Sequence, residues 1–235
     1  MKNSLLFIVS IIFFNYAQSQ SQAKIDNYKL GNSDVNIVLN PFGMENPITI
    51  GTISKSGDIQ FDFPKELKNI SKDDKESLSS ELWYTLFSQC ENGAEMVAEK
   101  DNIFSFEAGA LSLSTKDNPY TGVIFMVSDE NLIPWIEDSA YMEPVFESYF
   151  ELIYVAKPFQ YQGSCETGRM LDDGEARITY NYNLNLKAGF NFIEYKIESI
   201  YKTDPNVMAS FPDKVTITNV DGIPNCKWIG KYFYN

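Results

Sequence analysis

Residues 176–199 read ARITYNYNLNLKAGFNFIEYKIES. Ile178, Tyr180, Tyr182, Leu184 and Leu186 alternate with Arg177, Thr179, Asn181, Asn183 and Asn185. A strand turns successive side chains to opposite faces, so this period predicts one apolar row against a core and one row of amides in water. Lys187-Ala188-Gly189 supplies a short loop whose glycine can take a positive φ, and a second strand returns through Ile193, Tyr195 and Ile197. The pattern predicts a hairpin at the centre of a β-rich molecule.

The flanking sequence extends the pattern. Val35–Leu39 is a short strand candidate, and Ile48–Ile53 and Ile59–Phe63 alternate around the polar turn Ser54–Asp58. Further strands are predicted over Ile103–Phe106, Leu111–Leu113, Thr121–Val127, Val215–Thr218 and Trp228–Phe233. Phe146–Ala156 is largely apolar, the composition of a strand buried on both faces. Residues 128–144, with Pro134 and Pro144, read as a long loop or broken helical segment.

The period changes once. Ser71 can cap a helix N-terminus with Asp74 three residues on, and Leu78, Leu82 and Leu86 form a stripe beside Trp83 and Phe87. Asn92-Gly93 is a stop signal. The expected fold class is mostly β, with β-sandwich-like antiparallel sheets and one amphipathic helix over about 71–89.

Length, charge and cysteines bound the organisation. Lys2, the apolar run Leu5–Phe14 and the small-residue site Ala17-Gln18-Ser19 have the pattern of a secretory signal peptide over residues 1–19. Its apolar core is shorter than the ~20 residues of a membrane span, so no transmembrane span is expected after cleavage. Residues 20–27 read as a flexible mature N-terminus. Residues 28–235 read as a β-rich globular region, one domain or two tightly packed, with a possible division near 157–165. The expected location is secreted or periplasmic, and the Lys-, Asn- and Ile-rich text reads as bacterial.

The formal net charge is −13, one unit more negative once Lys2 leaves with the leader. Such a surface repels phosphate backbones and anionic headgroups, which excludes nucleic acid as a partner class and leaves cations, basic partners or neutral sugars. Cys90, Cys165 and Cys226 predict one disulfide and one thiol in an oxidising compartment, with three pairings open. Cys165 with Cys226 is the favoured pair because both lie in the C-terminal β region. Closing that loop is worth about 4 kcal/mol on the chain-entropy estimate.

The chain contains no histidine. Ser-His-Asp and Cys-His chemistry and imidazole-held zinc are thereby excluded, and no Gly-rich phosphate loop opens a helix. Carboxylate chemistry remains. Glu137, Asp138, Glu143 and Glu147 lie among Trp135, Tyr141, Tyr149 and Tyr154, and acids beside aromatics are what a sugar-cleaving site uses. Trp135 and Tyr141 are candidate ligand-binding residues that can stack on sugar rings or anchor a protein. Asp172, Asp173 and Glu175 around Gly174 offer hard oxygen ligands for calcium, the one cofactor the residues point to, although the spacing is not that of a calcium-binding loop.

Two resemblances accompany these patterns. GTISKSGDIQFDFP, residues 51–64, resembles the hairpin of exported bacterial β-sandwich modules of carboxypeptidase-regulatory or transthyretin-like type. Leu186-Lys187-Ala188-Gly189-Phe190-Asn191 resembles the L-K-x-G-W-N turn of uncharacterised exported proteins of gliding-type and gut-type bacteria, with Phe190 in place of tryptophan. The second implies a β-sandwich-like C-terminal half over 177–233, and neither implies an activity. The expected function is a non-enzymatic binding or envelope-associated protein with a protein or glycan partner at the cell envelope. The alternative is a carboxylate-dependent glycan hydrolase.

Overall fold

The structure is a computed structural model that describes residues 23–31, 34–39, 47–64, 67, 80–98, 101, 103–140, 142–171, 174–202 and 210–233. It is mostly β, as the alternation predicts. The N-terminal strands are β1 (Val35–Leu39), β2 (Ile48–Ile53), β3 (Ile59–Phe61), β4 (Ser80–Glu81), β5 (Phe104–Glu107), β6 (Leu111–Thr115) and β7 (Gly122–Val127). The remainder are β8 (Ser148–Val155), β9 (Phe159–Leu171), β10 (Gly174–Leu186), β11 (Gly189–Tyr201), β12 (Phe211–Val220) and β13 (Lys227–Tyr232). Helix α1 covers Leu82–Phe87 and α2 covers Gly93–Met96, while a 3₁₀ turn at Glu130–Leu132 runs into α3 at Ile133–Glu137.

All thirteen strands share one hydrogen-bonded sheet whose main path runs β3-β2-β1-β6-β7-β8-β11-β12-β10-β9. Residues 157–165 therefore lead into a strand of that same sheet. The sheet curls into two layers. Phe61 of β3 meets Phe192 of β11, six strands along the path, at 5.6 Å between ring centres. Between the layers sit Ile37, Ile50, Leu113, Ile124, Leu152 and Trp228, all 2% exposed or less. Five fully buried aliphatics and a tryptophan, at about 1.5–3 kcal/mol each, make this a major stabilising cluster.

The 176–199 segment differs from expectation in one respect. Both strands form, but they are not hydrogen-bonded to each other, because β12 lies between them, parallel to β10 and antiparallel to β11. Lys187-Ala188 therefore steps over the end of β12. Asn191 staples that step, its Oδ1 accepting from Lys187 N at 3.0 Å and its Nδ2 donating to Lys187 O at 2.8 Å. Gly189 takes φ 101° at the re-entry, a backbone region that side chains disfavour. At residues 51–64 the hairpin does form, with Ile53 opposite Ile59 and Gly51 opposite Phe61.

Three further expectations are corrected. Of the helix predicted over 71–89, residues 71–79 lie outside the described ones and Ser80–Glu81 are strand, paired with Ser105 and Phe104. Glu81 is extended (φ −77°, ψ 146°), so within the described part of that span the helix covers Leu82–Phe87; Leu82 and Leu86 are buried, as the stripe requires. Residues 23–27 of the supposedly flexible N-terminus are pinned: Ile25 N donates to Gly57 O and Asp26 N to Trp228 O, both at 2.9 Å, and Ile25 is 1% exposed. An apolar residue able to bridge the two layers outweighs the polar text around it.

The disulfide joins Cys90 to Cys165, not Cys165 to Cys226. Cys165 faces the side of the sheet that α1 covers, while Cys226 packs against the cluster between the layers. The sheet separates them. Cys226 is a free thiol whose pKa is pushed up to about 12, chiefly by burial and further by Asp26, so it stays protonated.

Candidate functional site

β8 is the strand on which the site is built. Its even residues Phe150, Leu152 and Tyr154 point between the layers, so Tyr149, Glu151, Ile153 and Val155 point the other way. β11 pairs with it so that Tyr195 lies opposite Tyr149 and Ile193 opposite Glu151. The Tyr149 and Tyr195 rings stack at 4.8 Å, 3° from parallel. On the opposite edge of β8, Glu107 of β5 lies opposite Ile153. Glu107 and Glu151 are thus diagonal neighbours on one face, about 7–8 Å apart at the backbone for such a pair.

α1 and the turn after it roof this face. Thr85 bonds Ser105 of β5 at 2.7 Å, and Tyr182 of β10 donates to the Leu86 carbonyl at 3.1 Å. Tyr180 donates to Gln89 at 3.1 Å. Cys90, one residue further, is tied to β9 by the disulfide. Beneath the roof a cavity of about 110 Å³ remains. Glu107, Glu151, Tyr149, Tyr180 and Tyr195 supply its polar wall, and Leu86, Pro212, Val215 and Ile217 its apolar one. Ser88, Gln89 and Glu107 are exposed and mark the mouth, whereas Tyr195 is 8% exposed and belongs to the floor.

The electrostatics follow from the crowding. Burial, reinforced by the charge of Glu151, raises the Glu107 pKa to about 7. Water reaches Glu107 through the mouth and tempers that push, so 7 is a ceiling. Glu151, deeper in, is raised by burial and partly relieved by a hydrogen bond from Tyr195. Tyr149 and Tyr195 are held well above the ordinary phenol range, by burial first and by Glu151 second. Among the described residues neither glutamate has an ion-pair partner, and no lysine or arginine lines the cavity. The arrangement can accept hydrogen bonds from a cation or polyol, or hold one proton between two carboxylates.

The described candidate acids and Trp135 do not line this cavity. Glu137 pairs with Lys231 across to β13. Asp138 accepts from Ala140 N at 3.3 Å, Glu143 lies 3.9 Å from Lys202, and Glu147 accepts from Ser128 at 2.7 Å. Trp135 is half-buried on α3 against Tyr149, 6.1 Å between rings, and its indole nitrogen is buried. Tyr141, Asp172 and Asp173 lie outside the described residues, so the calcium reading rests on Glu175 alone, which pairs with Arg177 at 3.4 Å. Among the described residues of the aromatic–acid run, Tyr149 is the one that lines the cavity.

Sequence reasoning missed Glu107 and Glu151. A signal existed for the second: Glu151 interrupts the run Tyr149-Phe150-Glu151-Leu152-Ile153-Tyr154 in a strand read as buried on both faces, and a carboxylate in such a place needs a reason. Glu107 carries no comparable mark, since it ends its strand. Comparison of the chain with family models, with curated proteins and with solved structures finds no match, so the site is read from its own geometry.

Proposed function

We propose that this protein is an exported, non-enzymatic binding protein of the cell envelope, secreted or periplasmic, that holds its ligand in the cavity beneath α1. The observation that carries the reading is the cavity's wall, in which two carboxylates without ion-pair partners among the described residues and the stacked Tyr149–Tyr195 pair share one space. Holding the Glu151 carboxylate this deep is costly even with the hydrogen bond from Tyr195, and a purely structural core would fill the position with leucine. The leader-like N-terminus, the disulfide and the resemblance of residues 51–64 to exported sandwich modules support the location. A screen of small molecules, glycans and envelope proteins against the mature chain tests it. Saturable binding that Glu151→Gln abolishes is the expected result. Binding indifferent to Glu151→Gln would move the site elsewhere.

The carboxylate-dependent glycan hydrolase is the second reading, favoured by the same pair. One acid held near neutrality beside another is how a general acid and its partner are set apart. Volume argues against it, because about 110 Å³ is well below the ~300 Å³ at which ligand pockets begin and does not admit a sugar ring on each side of a bond. Release of reducing ends from envelope glycans, lost in Glu107→Gln, would establish the enzyme.

A further inference from the structure

We propose that the cavity receives the ammonium end of a primary alkylamine, with Glu107, Glu151 and the Tyr149 hydroxyl accepting its three hydrogens and Leu86, Val215 and Ile217 flanking its methylenes. The inference rests on the reading that the cavity is the ligand site and names the class of ligand.

Three observations lead to it. The first is charge balance. Glu107 and Glu151 face one space without a cation among the described residues, in a chain of formal charge −13 whose field concentrates cations at such a mouth. The second is the acceptor count. An ammonium presents three donors and accepts nothing, and the wall sets two carboxylates beside the Tyr149 hydroxyl, whose ring is fixed by Tyr195 and Trp135. The third is size. About 110 Å³ is well below the ~300 Å³ at which pockets for drug-sized ligands begin, and it suits a short alkyl chain with its ammonium head better than a pyranose. The mouth, at Ser88, Gln89 and Glu107, leaves the rest of a longer ligand outside. The raised proton affinity of Glu107 comes first from burial and second from the charge of Glu151, and a bound ammonium relieves both. A divalent metal is the poorer occupant, since no group of three or more acidic or sulfur ligands gathers among the described residues.

The test is calorimetric titration of the mature, disulfide-intact protein with n-butylammonium, with n-butanol as the uncharged match, with a neutral monosaccharide, and with a peptide carrying one lysine against its acetyl-lysine counterpart. The expected result is one-site binding of n-butylammonium, at least tenfold weaker in Glu151→Gln and in Tyr149→Phe, with n-butanol and acetyl-lysine silent. A lysine peptide binding more tightly than the free amine identifies the source as a protein side chain; equal binding identifies a free amine. In the unmodified protein, n-butylammonium is expected to shift the Tyr149 and Tyr195 ring resonances, a readout that stands even if a variant folds poorly. Monosaccharide or butanol binding that is lost in Glu151→Gln overturns the amine class and leaves the cavity as the ligand site. Amine binding that ignores Glu151→Gln and leaves both rings unshifted overturns the amine site and removes support for the cavity as well.

Discussion

β8 and β11 are shared by two interiors that obey different rules. On one side, Phe150, Leu152 and Tyr154 meet Phe190 and Phe192, and the aromatic rings pack edge to face and in stacks, as in Phe63 on Phe190 at 4.8 Å. On the other, Tyr149, Glu151 and Tyr195 stand beneath α1 with Glu107 beside them and unfilled space between. One residue of offset along a strand separates a filled interior from one that keeps polar groups without full compensation. Filled interiors of this kind supply stability, and stability is what permits the other face its carboxylates. The two faces should therefore respond to mutation in opposite ways.

The largest effect is expected on the filled side. Phe192 is 4% exposed and its ring touches Phe61, Phe63 and Trp228. Phe192→Ala should cost about 3–5 kcal/mol in chemical denaturation, because few neighbours can collapse into the space. A cost under 1 kcal/mol would mean that the two layers do not depend on this seam. The next largest is the Cys90–Cys165 bridge, which closes a separation of 75 residues and fastens the roof of the cavity to β9. Replacing both cysteines with serine should cost about 2–5 kcal/mol. The comparison predicts where the loss appears: hydrogen exchange should accelerate first in α1 and β9, with β1, β6 and β7 protected until global unfolding. Uniform acceleration would show that the two interiors fail together.

The packed apolar rows were the legible part. Strict alternation placed Ile178, Tyr182, Leu184 and Leu186 on one face of β10, and the apolar run 146–156 anticipated a strand covered on both faces, because burial leaves a periodic trace in composition. Non-local pairing leaves none. Nothing in residues 176–199 announces that β12 inserts between the two strands, since a loop of the same length serves a hairpin or a step over a third strand. The disulfide was misassigned for the same reason: proximity along the chain says little about which face of a sheet a cysteine occupies. Acids could be counted from the sequence, but convergence depends on register, and Glu107 meets Glu151 only because β5 joins β8 at Ser105–Glu107.

Tyr182 offers a smaller and cleaner probe of the roof. Its hydroxyl caps the Leu86 carbonyl near the end of α1, where helical carbonyls lack partners, and its ring packs on Phe87 at 4.8 Å. Tyr182→Phe keeps the ring and removes the cap, which should cost about 0.5–1.5 kcal/mol and loosen α1 over the cavity. Equal stability with unchanged amide exchange in α1 would mean that the roof is held by the disulfide and side-chain packing alone.

The smallest effect distinguishes the two interiors by pH. Glu107 has an ordinary pKa of 4.5 and is raised to about 7 in the fold, so between those values the folded chain binds more protons than the unfolded one. Stability then falls as pH rises through that window and levels off above it, the reverse of a salt-bridged carboxylate. Because Glu107 is open to water at the mouth, the change is held to about 1 kcal/mol or less. The chain's overall negative charge pushes in the same direction, so the informative quantity is a difference. Denaturation midpoints of the native chain and of Glu107→Gln should converge near pH 4.5 and separate by pH 8, with the glutamine variant the more stable there. A native chain that is instead the more stable of the two at pH 8 would mean that Glu107 is stabilised as a carboxylate by a cation held in the fold, and the polar interior would then be compensated like the filled one.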